Sequence, residues 1–361
     1  MRVAIDGREL CGRPTGVGRF LSHLLAAWAK LPEAREHEYL LYVPEVPLRL
    51  PPDLRVHTRV LPGASGTWWE QVRLASAVRR DCPDVLFCPA YTSPLAAGVP
   101  VVVALHDVSF LAHPEWFPAG SGLRRRLLAR LSARRAVSVF TISEFSRGEI
   151  AFRLRVARER VRVVPLAPGG PPAAPGLLRE PLVLYVGSIF NRRHLPELIA
   201  ACGKLALRHP EVRLEVVGED RTYPSQDLGA AAAASGMEGR LSLRSYVPDE
   251  ELAVLYGKAS VFAFLSDYEG FGLTPLEAIA AGVPAVLAET AVAREVCGDA
   301  ALYVPTGDVG AIAAALESAL FDPATRRRLL AAGPATLSRY SWDRVGRDTL
   351  AVLLDAARRR A

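Results

Sequence analysis

Short apolar runs recur along the second half of the chain, each closed by a glycine or a polar turn. They are LVLYVG (182–187), VRLEVVG (212–218), LSLRSYV (241–247), SVFAFLS (260–266), PAVLA (284–288) and ALYV (301–304). Between them lie longer stretches of helical period, such as LPELIAACGKLALRH (195–209) and AIAAALESALF (311–321). Runs of this length, rich in β-branched and aromatic residues and alternating with helices, predict βαβ units around a buried parallel sheet. The first half has the same rhythm, with RVAID (2–6), YLLYV (39–43), DVLFCP (84–89), VPVVVAL (99–105) and AVSVFTIS (136–143). A segment poor in regular structure, VVPLAPGGPPAAPGLLREP (163–181), separates the halves. Its prolines and glycines cannot sit inside helices or strands, so it reads as a linker.

The pattern predicts an α/β protein of two doubly wound, Rossmann-like domains, residues 1–168 and 169–341. The closing stretch YSWDRVGRDTLAVLLDAARRR has the period of an amphipathic helix starting near Trp342, expected to pack back on the first domain over about 342–361. A length of 361 residues agrees, since one hydrophobic core rarely serves so many. Open sheets bind ligands at the carboxyl ends of their strands, so two such sheets facing each other would make a cleft.

Composition narrows the class. Half of the residues are hydrophobic, as in a soluble enzyme, and no apolar run reaches the roughly 18 residues of a membrane span. The N-terminus turns polar after four residues and reads as a strand and not a signal peptide, so a cytoplasmic protein is expected. Cys11, Cys82, Cys88, Cys202 and Cys297 are scattered and form no C-x-x-C pair, which points to free thiols. The net charge of +6 is carried by arginine, because Lys30, Lys204 and Lys258 are the only lysines. Arginine suits phosphate or an anionic membrane surface, although a biased base composition of the coding sequence would give the same excess.

Three places carry candidate chemistry. In TGVGRF (15–20), Gly16 and Gly18 match the start of a dinucleotide fingerprint, but Leu21 replaces the third glycine and the loop begins too far from the strand. A plain helix start and a phosphate contact explain it equally. GSIFNRRH (187–194) places Arg192 and Arg193 between a strand and a helix, where two guanidiniums either face solvent or pair with a diphosphate. In SDYEGFGLTPLEAIAAG (266–282), Glu269 and Glu277 flank a glycine bend. Thr274-Pro275-Leu276-Glu277 has the form of a capping box. Alternatively, the amides around Gly272, Leu273 and Thr274 hold a diphosphate. Glu277 would then accept from a ribose diol, and Glu269 would reach the sugar beyond. A carboxylate has oxygens for both tasks.

These motifs, in this order, resemble family 4 glycosyltransferases, retaining enzymes of the GT-B fold. Glu269 and Glu277 around GFGL match the family's E-x7-E. GRPTGVGRF is similar to its N-terminal glycine loop, LHDVSF, HPEWF and TISEFSR to acceptor-domain segments, YVGSIFNRRH to its phosphate turn, SYVPDEELAVLY to the turn near the nucleobase, and AAGVPAV to the run that follows. The resemblance spans nearly the whole chain. It implies donor-diphosphate contacts from Arg192, Arg193, Gly16, Gly18, Gly272, Leu273 and Thr274, ribose binding by Glu277, and Tyr246 and Val247 near the base. His106, Glu269 and Arg193 fall on catalytic positions. The bland alternative for His106 is a strand-end histidine with a local hydrogen bond, oriented or not by Asp107. Arg193 stands where lysine is commoner, and Asn191 and His194 where proline and asparagine are.

The implied partners are a nucleotide-sugar donor and a saccharide or lipid-linked acceptor, with no metal, no other cofactor and no nucleic acid. HDVSFLAHPEWF is closest in form to GDP-mannose-dependent mannosyltransferases of surface-polysaccharide assembly, so a mannosyl donor is expected first and a UDP-hexose second. A sugar-nucleotide 2-epimerase with similar domains and a non-catalytic nucleotide-sugar-binding subunit are the rivals. One further stretch stands apart. SGLRRRLLARLSARRA places Leu123, Leu127, Leu128 and Leu131 on one stripe among six arginines. It is either a helix docked on its own domain through those leucines or, over 121–135, a reversible contact with anionic lipid.

Overall fold

The computed structural model describes residues 1–12, 16–46, 50–117 and 119–359. It forms two compact units: residues 1–166 with 341–361, and residues 167–340. Thr15 of the glycine loop and residues 360 and 361 lie outside the described residues.

The first unit is built on seven parallel strands: β1 (Arg2–Asp6), β2 (Glu38–Val43), β3 (Val56–Val60), β4 (Val85–Cys88), β5 (Val101–Ala104), β6 (Ser138–Thr141) and β7 (Val161–Val163). Their order is β3-β2-β1-β4-β5-β6-β7. Every residue of β4, β5 and β6 is buried, which is why these segments read as unbroken apolar runs: both faces of the sheet are covered. The edge strands escape that pattern. β3 is polar and largely exposed, and β7 is only three residues long and opens what the sequence presents as linker.

The C-terminal helix, Trp342–Arg358, begins at Ser341, whose hydroxyl accepts from the Arg344 amide and caps the first turn. It belongs to the first unit and lies against the Gly16–Lys30 helix. Gly346 permits the approach, since a Cβ there would sit 2.8 Å from Leu31 Cδ1. The buried indole of Trp28 donates to the Gly346 carbonyl at 2.9 Å, and Trp342 stacks on His23 with ring centroids 4.7 Å apart.

The second unit holds β8 (Glu180–Val186), β9 (Arg213–Val217), β10 (Leu241–Arg244), β11 (Ala259–Phe264), β12 (Ala285–Ala288) and β13 (Ala301–Val304), all parallel, in the order β10-β9-β8-β11-β12-β13. The order reverses direction between β8 and β11, and between β1 and β4 in the first unit. Such switch points leave a crevice at the strand ends, because the loops on either side run to opposite faces of the sheet. The linker is shorter than the sequence indicates. β7 takes Val163 from one end, and β8 takes Glu180 and Pro181 from the other, with the proline near the strand start where its missing N–H is tolerated. Among the described residues, no helix is long and apolar enough to cross a membrane.

Candidate functional site

The carboxyl ends of β8 and β11 bring the arginine turn and the acidic loop together. After β8 the chain passes Gly187, at φ +146°, where a Cβ would lie 2.9 Å from Arg193 Nη1. Glycine is therefore what lets the guanidinium fold back over the strand end. Arg193 donates from Nε (2.9 Å) and Nη2 (2.7 Å) to one oxygen of Glu269, Oε1, and from Nη1 to the Ser188 carbonyl at 2.5 Å. Its guanidinium lies 4.8 Å from the centre of the Phe264 ring. Burial works against the charge, but Glu269 and the Tyr185 hydroxyl outweigh it and raise the arginine's pKa. The Ser266 hydroxyl donates to the same Oε1 at 2.8 Å. Glu269 Oε2 takes none of these bonds. The carboxylate is thus fixed through one oxygen. Arg192 packs over Phe190 at 4.3 Å.

Three residues beyond Glu269 the backbone turns at Gly272, φ +112°, and the helix Leu273–Ala280 starts. Gly272 itself is the N-cap, and no side chain caps this helix. Thr274 is the second helical residue, so the capping box suggested by T-x-x-E does not form; the left-handed glycine moves the helix start two residues earlier. Leu273 and Thr274 contribute amides to the first turn, where orphan N–H groups and the helix dipole favour an anion. Glu277 sits one turn on and is half-buried. Gly170 closes over it, for a Cβ there would lie 2.7 Å from the carboxyl carbon. Tyr246, exposed, and Val247, buried, follow β10 at the far edge of the sheet. A cavity of about 600 Å³ lies beside them, lined by Ile189, Gly218, Asp220, Arg244 and Ser245.

His106, Gly16 and Gly18 belong to the first unit. Gly16 and Gly18 lie in the first turn of the Gly16–Lys30 helix, and Phe20, one turn on, meets the His106 ring edge-on at 5.3 Å. His106 follows β5 and is buried. Its Nε2 lies 2.9 Å from the Pro89 carbonyl, which only accepts, so Nε2 carries the proton and Nδ1 keeps its lone pair. Burial lowers its pKa, which keeps the ring neutral. Asp107 bonds elsewhere, accepting from the Tyr91 hydroxyl at 3.0 Å and the Ser109 amide at 2.8 Å. The ring is therefore oriented by the Pro89 backbone and not by Asp107.

Sequence reading missed a buried ionic cluster in this unit. Arg8 pairs with Asp6 (2.8 Å) and with Glu70, which also takes the Thr92 hydroxyl at 2.5 Å and Gln71 Nε2 at 2.6 Å. Burial, with Arg8 opposing and Glu70 adding, pushes the Asp6 carboxyl up to about 6. The spacing D-x-R at a strand end was its only local trace; Glu70 lies 62 residues further on. The His194–Asp267 contact was missed for the same reason, its partners standing 73 residues apart.

The helix Ala119–Arg135 docks differently from the leucine-stripe expectation. Ala129, Ser132, Ala133 and Ala136 face the core, whereas Leu123 (66% exposed) and Leu127 (57%) point outward. Small residues let the helix approach the sheet closely, while Leu128 and Leu131 of the same stripe are half-buried. Among the described residues, no group of three or more His, Cys, Asp or Glu side chains is placed to hold a metal.

Comparison with known proteins places the chain. It matches the profile Glycosyltransferase Family 4 over residues 14–167 and Glycosyl transferases group 1 over residues 174–335. It is 30% identical over 264 residues to O-antigen chain mannosyltransferase B of Escherichia coli, an alignment covering 69% of this chain and 68% of that one. It is 31% identical over 205 residues to the GDP-mannose:cellobiosyl-diphosphopolyprenol alpha-mannosyltransferase of Xanthomonas oryzae pv. oryzae, covering 55% of this chain and about half (52%) of the relative. Among solved structures, HepE of Anabaena in complex with UDP-glucose superposes with a TM-score of 0.74 at 18% identity, over 98% of this chain and 100% of that one. The glycosyltransferase WaaG of lipopolysaccharide biosynthesis superposes with a TM-score of 0.74 at 17% identity, over 98% and 99%. The folds are thus shared across both units, each built as a Rossmann-like GT-B domain, and the matched profiles with the E. coli relative settle the kinship: the chain is a glycosyltransferase of family 4.

Proposed function

We propose that this enzyme transfers a hexose, first of all mannose from GDP-mannose, to a saccharide or lipid-linked acceptor with retention at the anomeric carbon. The observation that carries the reading is Glu269. It is held through one oxygen by Arg193 and Ser266 beside an uncapped helix start. In this reading the diphosphate lies at the Gly272–Thr274 amides and Arg192, and Glu277 accepts from the ribose. Arg193 supports charge on the leaving group and fixes Glu269 on the sugar. Tyr246 and Val247 border the base, and the neighbouring cavity has room for one. The bond from the anomeric carbon to the diphosphate breaks, the acceptor oxygen forms the new bond, and the departing phosphate takes the acceptor's proton. Neither Glu269 nor His106 becomes covalently linked to sugar, and no metal takes part. Mannose is favoured by the two named mannosyltransferase relatives.

The test is donor turnover by the purified protein across GDP-, UDP-, ADP- and dTDP-sugars, with the product's anomeric configuration read by NMR. Turnover of GDP-mannose into an α-linked product supports the reading, and preference for a UDP-hexose replaces the donor. An inverted product, or sugar trapped on Glu269, refutes the mechanism. Release of free sugar epimer without an acceptor would favour the epimerase.

The acceptor's setting belongs to the same proposal. Leu123 and Leu127 point outward among Arg124, Arg126 and Arg130, while Arg125 lies over Tyr91 at 4.7 Å. This face suits peripheral binding to the anionic cytoplasmic leaflet, with leucines at the acyl boundary and arginines on headgroups. Co-sedimentation with anionic but not neutral vesicles is expected, and its absence removes this part of the proposal.

A further inference from the structure

Three successive residues of the arginine turn bond to the acidic loop. The Arg192 carbonyl accepts from the Asp267 amide at 3.0 Å, Arg193 grips Glu269, and His194 reaches Asp267 by its side chain. His194 follows the turn Asn191–Arg193 and precedes the helix Leu195–Ala206, at φ +51° and ψ 42°. A left-handed conformation costs a non-glycine residue of order 1 kcal/mol or more, and it persists only where the surroundings hold it. Here the ring is what is held. Nε2 lies 2.6 Å from Asp267 Oδ2, and Nδ1 lies 3.1 Å from Glu197 Oε1. Carboxylate oxygens only accept, so a neutral imidazole, with one N–H, satisfies one contact and leaves two lone pairs facing each other at the second. Both contacts together require the imidazolium.

We propose that His194, as an imidazolium, is a positioning residue for glycosyl transfer: it clamps the Asp267–Glu269 loop onto the arginine turn and sets the alkaline limit of donor turnover. The inference rests on the reading that Glu269 and the arginines hold the donor. Two carboxylates face the ring, Glu197 from its own helix and Asp267 from the loop after β11. The Asp267 contact, opposed by burial and assisted by Glu197, raises the histidine's pKa to about 9. Loss of the proton breaks one contact and leaves Asp267 uncompensated two residues from Glu269. The diphosphate site then meets added negative charge, and the loop that carries Glu269 is held less firmly to the turn.

The experiment compares pH profiles of donor turnover for wild type, His194→Asn, His194→Gln, Asp267→Asn and Glu269→Ala, with NMR titration of the His194 ring, assigned by its loss in the variants. In the wild type, kcat/KM should fall above pH about 9 in step with the His194 titration. His194→Asn should lower kcat/KM at pH 7.5 by about ten- to a hundredfold, the loss of a charged hydrogen bond, and should abolish the alkaline limb. Asp267→Asn should move both the limb and the ring titration toward neutral pH. A merely structural histidine would lower melting temperature and leave the shape of the profile unchanged, and that result overturns the proposal. So does a His194 ring that titrates near pH 6.5 in the wild type. Glu269→Ala separates the two failures. Full activity of that variant refutes the site, whereas an inactive Glu269→Ala beside a His194→Asn of unchanged profile refutes only the clamp.

Discussion

Replacing Arg193 by alanine tests the centre of the site. The guanidinium is 11% exposed and its partner Glu269 21%, so the pair is largely out of water. Alanine would strip Glu269 of two of its donors and leave the Ser188 carbonyl with the Tyr185 hydroxyl alone. Breaking a buried pair from one side costs about 3–5 kcal/mol, and the residual exposure of Glu269, together with Ser266, puts this one near about 3 kcal/mol. At about 2–4 °C per kcal/mol for a unit of this size, the melting point of residues 167–340 should drop by about 6–12 °C. The assay has a built-in reference. Trp28, Trp68, Trp69, Trp116 and Trp342 all lie in the first unit, so tryptophan fluorescence follows that unit alone, while circular dichroism follows both. Arg193→Ala should move the dichroism transition and leave the fluorescence transition in place. It should also cut kcat by about 10²–10³, as when a preorganised donor to developing charge is removed, with a smaller effect on KM. A double-mutant cycle with Glu269→Gln should show strong coupling in both stability and kcat. Additive effects, or a melting point that does not move, would refute the account of the pair.

Three other outcomes are expected. Asp6 is held neutral more readily in the folded chain, its pKa being about 6 against 3.8. The folded state therefore binds the extra proton, and stability of the first unit falls as pH rises through that window, by about 3 kcal/mol; Asp6→Asn should flatten this slope in fluorescence-monitored denaturation. Glu277→Gln should weaken donor affinity by about 1.5–3 kcal/mol in calorimetric titration and change stability little, since the residue closes no capping box; a large stability loss with intact affinity would reverse the assignment. Gly346→Val should cost the first unit about 1–3 kcal/mol through the clash with Leu31 and Trp28, read as a shifted fluorescence transition with the second unit unmoved.

All six strands of the second sheet and five of the first were legible in apolar runs, most plainly β4, β5, β6, β11 and β12, which are buried along their whole length. β3 and β7 were not: β3 is polar and largely exposed, and β7 is three residues long, so both owe their existence to a neighbour's hydrogen bonds and not to their own side chains. The same divide runs through the site. Glu269, Glu277, Arg192 and Arg193 are legible because motif and helix start are local. The partners that hold them are not: Glu269 meets Arg193 across a gap of more than 70 residues, and His194 finds Asp267 only through the pairing of β8 with β11. The capping-box reading failed on a single backbone angle at Gly272, and the basic helix docks on its own unit through alanines and a serine, with only Leu123 and Leu127 of its leucines left exposed.

The return of residues 341–359 to the first unit has a consequence for synthesis. A ribosome delivers the whole of residues 167–340 before it delivers the helix that covers Trp28, so the second unit has its complete sequence while the first still waits for its last element. Until Gly346 arrives, the Trp28 indole lacks its acceptor and the apolar face of the Gly16–Lys30 helix stands open to water and to other chains. Such surfaces recruit chaperones or aggregate. The unit made first is therefore finished last, and a chain cut after Tyr340 should emerge with a folded second unit joined to a first unit that does not stay in solution.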